Sequence, residues 1–191
     1  SAGKIKIPIN AIDFDDENFG IEISKMTSKR AQNAALAGRL GGVIDIGRPD
    51  NPIFYGDLAE QLAHLLKSEE DKRITAEELF SGLTKLQEDA QKQDQKRKEL
   101  GLDNEFEFAV YGELKQIVDD QLLCVEKSIS IYDGILPLTQ YVDCFNPEKI
   151  TIKKEMEKII YEILSDKFPE DKIDELTEKI IDLAKRHLYG K

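Results

Sequence analysis

The chain has 191 residues, 40% of them hydrophobic and 34% charged, with a formal net charge of −11. That length suits one large domain, or one domain with a small appendage, and lets about 70% of the unfolded surface be buried without a disulfide or metal staple. The acidity argues against a clamp on a phosphate backbone, and no apolar run approaches the ~20 residues of a membrane span, so protein partners in a cytoplasmic setting fit best.

Ser1-Ala2 reads as an expression scar, and with no initiator Met the chain reads as an excised piece of a longer protein. Lys4–Ile9 alternates polar and apolar residues like a strand, with Pro8 confining it to an edge or an extended arm. Asp13–Glu17 follows as an acidic loop, and residues 1–27 are expected as an extended N-terminal arm continuing from a missing upstream domain. Residues 28–191 are expected as one helical domain. Thr27 or Ser28 can cap a helix to about Ile46, with Leu36, Leu40, Val43 and Ile44 as its apolar stripe. Ala34, Ala35, Ala37 and Gly38 on that helix would permit close approach of a neighbour. Gly47–Asp50 is a turn, after which Asn51 caps and Pro52 opens a helix lined by Tyr55, Leu58, Ala59, Leu62, Leu65 and Leu66.

Thr75-Ala76-Glu77-Glu78 is a capping box. The helix it opens is predicted to run unbroken to about Leu100, ~35 Å at 1.5 Å per residue, with an almost wholly polar second half. Gly101 stops it, and Asn104 caps a helix carrying Phe106, Ala109, Val110, Leu114, Ile117 and Val118. In Asp119–Val142, Gly134 and Pro137 predict two pieces, and Asn146-Pro147 a further turn. The chain closes with helices over about Thr151–Asp166 and from Pro169 onward, whose short link predicts an antiparallel hairpin. The fold class is all-α: an irregular multi-helix bundle.

Few residues carry chemistry. Gly38–Gly42 lacks the Lys-Ser/Thr of a phosphate-binding loop. Pro49-Asp50 with Glu113-Leu114-Lys115, Glu70-Asp71-Lys72 or Glu170-Asp171-Lys172 supplies the letters of a metal-dependent nuclease. That chemistry needs its Glu-x-Lys on a strand, whereas on a helix the two side chains diverge by about 200°. His64 and His187 have no second ligand at fixed spacing, His187 suiting the dipole of a helix C-terminus. Cys124 and Cys144, without a CxxC spacing, read as reduced thiols. Lys92, Lys96, Arg97 and Lys98 form the one candidate contact for a nucleic acid or partner, although macrodipole complementarity accounts for them without function. Phe54, Tyr55 and Phe106, at helix starts, read as core staples before interface anchors.

The run Ser28–Leu66, with its alanine-rich helix and Asp50-Asn51-Pro52-Ile53-Phe54-Tyr55, followed by the polar helix ending at Lys98-Glu99-Leu100-Gly101-Leu102 and by Glu105–Tyr111, resembles the C-terminal helical region of type I restriction enzyme R subunits. The resemblance returns weakly at Thr151–Pro169 and fades over Leu122–Phe145. It implies a non-catalytic fragment lying downstream of a nuclease and two ATP-hydrolysing motor lobes, serving assembly with the methyltransferase core of M and S subunits and supporting the DNA-translocating motor. ATP and Mg²⁺ would belong to the parent subunit, no cofactor is expected in this fragment, and no catalytic residue of the family maps onto any position. The implied partners are the M subunit and the upstream motor domains of the same chain, with DNA reached through the parent complex. The alternative is an accessory helical domain that itself contacts DNA during translocation, through Lys92–Lys98.

Overall fold

The computed structural model describes residues 17–140 and 150–188. These form α1 (Glu17–Lys25), α2 (Lys29–Gly47), α3 (Pro52–Glu70), α4 (Ala76–Gln91), α5 (Gln93–Glu99), α6 (Glu105–Lys115), α7 (Gln121–Thr139), α8 (Ile150–Leu164) and α9 (Glu170–His187), with no strand among the described residues. The all-α expectation holds. The expected strand at Lys4–Ile9, the turn at Asn146-Pro147 and Cys144 lie outside the described residues. The chain divides into two compact units, one of Ser1–Pro49 with Tyr55–Gln93 and the other of Asp50–Phe54 with Asp94–Lys191.

In the first unit, residues 17–25 are helical, where an extended arm was expected. Ile23 of α1 is buried, and the Gln32 side-chain amide on α2 donates to the carbonyls of Ile23 (3.1 Å) and Met26 (3.0 Å), tying the end of α1 to α2. Ser28 precedes α2 in an extended conformation but makes no side-chain cap. Leu36, Leu40 and Ile44 of α2 are buried on the face toward α4, whose Leu79, Leu83 and Leu86 are also buried, while α3 adds Leu58 and Leu62. The Thr75 capping box is formed in both directions, Thr75 N–H to Glu78 Oε2 at 2.7 Å and Glu78 N–H to Thr75 Oγ1 at 3.2 Å.

Of the small residues of α2 expected to permit close approach, Ala35 and Ala37 are half-buried, but Ala34 and Gly38 are not at a helix contact. Ala34 and Gly38 are exposed, and a Cβ added at Gly38 or Gly41 would find open space within the unit. Close approach occurs instead at Gly47, under the ring of Tyr55, and at Gly82, against Leu65.

The second unit is built on α6, α7, α8 and α9. Helix α6 packs on α7 and α9, and α8 packs on the same two, so four apolar faces close on one core. Phe106, Val110, Leu114, Ile131, Ile135, Met156, Ile160, Leu164, Ile173 and Ile180 are its buried centre. Met156, Ile160 and Leu164 of α8 and Ile173, Leu176, Ile180 and Leu183 of α9 are buried at helical spacing, with Ile159 and Ile163 half-buried beside them. The break expected at Gly134 and Pro137 is absent: α7 runs continuously past both. Pro137 lies in the last turn, where its missing N–H costs a single helical bond, and a Cβ at Gly134 would stand 2.8 Å from the Ile159 Cγ2 of α8, so the glycine serves packing. The segment Asp50–Phe54 belongs to this unit. Ile53 lies against Gly112, the Phe54 ring centroid is 6.0 Å from that of Phe108, and Asn51 is buried, its Oδ1 accepting from the Phe54 N–H at 3.1 Å.

Candidate functional site

The polar stretch expected as the second half of one long helix is two elements. Lys92, at φ −83° and ψ 8°, leaves helical geometry between α4 and α5. The break has a plain cause: from Gln91 to Glu99 no apolar side chain holds the backbone against a core, so continuation rests on propensity alone. The basic run is therefore divided between two helical elements. Lys92 is exposed in the first unit, and Lys96, Arg97 and Lys98 belong to the second.

Within α5 the three cations are mostly engaged. Lys98 Nζ lies 2.6 Å from Asp94, and Lys96 Nζ lies 5.4 Å from the centre of the Phe54 ring, within cation–π range. The Arg97 side chain is only 12% exposed. Its guanidinium donates to Asp94 at 2.5 Å, to the carbonyl of Leu102 at 3.0 Å and to the carbonyl of Asp103. Hydrogen bonds from Lys98 and then Arg97 hold the Asp94 carboxyl below its usual range, and Asp94 in turn raises Arg97. Arg97 is thus a staple between α5 and the loop that follows. Gly101 turns that loop at φ +75°, a left-handed conformation that favours glycine, as the stop signal predicted.

The loop ends in a second capping arrangement. Asn104 Oδ1 accepts from the Glu107 N–H (2.9 Å), and the buried Glu107 carboxylate accepts from the Asp103 N–H (2.7 Å) and the Asn104 amide (2.8 Å). Beside Arg97 the loop, α7 and the end of α9 border an open cavity of about 330 Å³, whose walls include Asp103, Glu105, Phe106, Tyr132 and His187. His187 is buried, its Nε2 2.7 Å from the carbonyl oxygen of Asp50 and its ring edge-on to Phe106. His187 thus lies in the last turn of α9 with a specific acceptor. Local sequence does not reveal this cavity, because its walls come from residues 97–106, 132 and 187, which no single helical period unites.

The nuclease-like letters do not converge. Glu113 is buried on α6 and pairs with Lys179 of α9 at 3.4 Å, and Lys115 pairs with Asp119. Glu70 ends α3 with Asp71 and Lys72 in the turn beyond it, and Glu170-Asp171-Lys172 opens α9. No group of three or more His, Cys, Asp or Glu side chains that could hold a metal occurs among the described residues. His64 is exposed, in a groove of about 570 Å³ with Glu60, Gln61, Lys85 and Asp89. Cys124 is buried, and that burial pushes its thiol up. Phe106 is a core residue at 1% exposure, in keeping with a staple. No described helix is long and apolar enough to cross a membrane.

No curated protein and no solved structure matches the chain. A family model described as type I restriction enzyme HindI endonuclease subunit-like, C-terminal, matches residues 3–188, nearly the whole sequence. With that coverage, a helical architecture throughout the described residues and the alanine-rich and Asn-Pro-Ile-Phe-Tyr segments that suggested the resemblance, the chain belongs to the family of C-terminal regions of HindI-like type I restriction endonuclease subunits.

Proposed function

We propose that this region is a non-catalytic assembly module, joining its parent subunit to the M subunit of the methyltransferase core and bracing the ATP-dependent motor. The family implies a parent nuclease, and its cutting and ATP-hydrolysing centres would lie upstream in that subunit. The observation that carries the reading is the family match to the C-terminal part of an endonuclease subunit. The use of the polar residues supports it: Glu113, Lys115, Arg97 and Lys98 are all engaged in bonds within the fold.

Deleting this region from the full subunit should abolish its co-purification with the methyltransferase. A truncated subunit that still joins the complex and still translocates DNA sinks the proposal. Direct DNA tracking is less favoured, since two of the four cations proposed for it are paired with Asp94. DNA binding by the isolated region should be weak and fall steeply with salt. Submicromolar binding at physiological salt, unchanged when Lys92, Lys96, Arg97 and Lys98 are all replaced by Ala, would exclude this account of the basic run.

A further inference from the structure

The cavity beside Arg97 brings together polar groups whose hydrogen-bonding capacity the fold leaves open. The sign of the charge it would accept can be worked out residue by residue. Arg97 lines the cavity with a buried Nε that has no hydrogen-bond acceptor, but its positive charge is offset by Asp94 at 2.5 Å, Glu105 at 3.7 Å and the nearby Asp103. Asp103 is exposed; its backbone N–H donates to Glu107 and its carbonyl accepts from Arg97, while its carboxylate acts on Arg97 only through charge, with no hydrogen bond to it described. His187 uses Nε2 on the carbonyl of Asp50, which makes that nitrogen the donor and leaves Nδ1, in the neutral ring, an acceptor with no hydrogen bond among the described residues. The half-buried Tyr132 presents a phenol whose hydroxyl has no described partner, and its ring lies 6.1 Å from Phe106, centroid to centroid. The cavity also lies at the C-terminal end of α9, where backbone carbonyls favour a cation.

A carboxylate, an imidazole acceptor and an aromatic face around one cavity complement a planar cation rich in N–H donors. We propose that this cavity receives the guanidinium of an arginine side chain supplied by the protein partner of this domain. The carboxylate of Asp103 takes the fork of N–H donors, His187 Nδ1 takes a further one, and the Tyr132 ring lies along the cation. A lysine ammonium is a point charge without that planar fork, so it fits the same groups less well. The proposal names the chemistry of the partner and in that respect rests on the assembly reading. It is read out on the isolated chain, however, so the two can fail separately: the co-purification experiment tests the partner, and a titration tests the cavity.

The titration adds N-acetyl-arginine amide to the 191-residue chain and follows backbone amide resonances, with the citrulline and lysine counterparts as parallel arms. Saturable shifts confined to residues 103–106, 132 and 187–188 are expected with the arginine compound, and binding about tenfold weaker with the other two, the loss expected when a charge-assisted bond is removed. Asp103→Asn, an exposed substitution that keeps the backbone N–H to Glu107, should weaken arginine binding to a similar extent. Tyr132→Phe, which keeps the ring on Phe106, should weaken it a few-fold, and both variants should retain the parent unfolding midpoint. Shifts scattered over the surface, equal binding of citrulline or lysine, or Asp103→Asn and Tyr132→Phe both binding as the parent would overturn the proposal.

Discussion

Two glycines of this chain are expected to respond in opposite directions to the same substitution. Gly38 sits mid-helix in α2 with open space where a Cβ would go, so Gly38→Ala should add about 1 kcal/mol of stability by raising helix propensity. Gly134 sits mid-helix in α7 but 2.8 Å from the β-branched Ile159, which cannot swing aside freely. There the propensity gain is outweighed by overpacking, whose usual cost is about 1–3 kcal/mol. Urea unfolding midpoints of the two variants should therefore move apart, and a rise for both would show that α7 and α8 give way. The carboxylate of Asp166 belongs to the same scale. A hydrogen bond from the largely buried Lys127, 2.9 Å away, lowers the pKa of Asp166. A depressed carboxyl contributes stability that is present above its unfolded pKa and is lost as pH falls through the folded value. Thermal midpoints should thus fall below about pH 4, and the fall should be shallower in Asp166→Asn. An unchanged acid limb in that variant would show that the pair has no part in it.

At the scale of elements, α5 is the least self-sufficient helix of the chain. It has seven residues and no buried side chain beyond the stem of Arg97. Isolated helices of that length are unstable in water, so its persistence must come from tertiary bonds. Arg97 makes them, to the loop carbonyls of Leu102 and Asp103, while its pair with Asp94 lies within the helix. Arg97→Ala should cost about 2 kcal/mol, the range for charge-assisted bonds whose carbonyl acceptors are left open. Its effect should be local: faster amide exchange across residues 93–102 with α4 unchanged. Arg97→Lys should rescue little, because an ammonium lacks the fork that reaches Asp94 and the loop together. Exchange that accelerates equally in α4 would contradict the independence of the two helices. By contrast α9 keeps one face of Ile173, Leu176, Ile180, Leu183 and Ala184 in the core, and its start was legible from Pro169.

For the whole molecule, stability in the second unit rests on a core that four helices share, so a single truncation at its centre should be felt by all of them. Leu114→Ala, at a fully buried position on α6, is expected to cost about 3 kcal/mol, within the range for leucine truncation in cores. The loss should appear as a lower unfolding midpoint by far-UV circular dichroism, from a starting spectrum dominated by helix. A cost under about 1 kcal/mol would mean that the site collapses around the deletion.

What the sequence by itself determined here are the features set by residues close together along the chain. The Thr75 and Asn104 caps, the left-handed stop at Gly101 and the apolar stripes of α2, α8 and α9 each depend on a spacing of three or four residues, and each appears where that spacing placed it. Tertiary structure alone decided the rest. Whether Gly134 and Pro137 break a helix depended on Ile159 standing beside one and the helix end following the other. Whether α4 continues to Glu99 depended on the absence of any core contact to carry it past Lys92. The cavity of Asp103, Tyr132 and His187 joins residues dozens of positions apart, and its chemistry exists only because α6, α7 and α9 close on the same hydrophobic core.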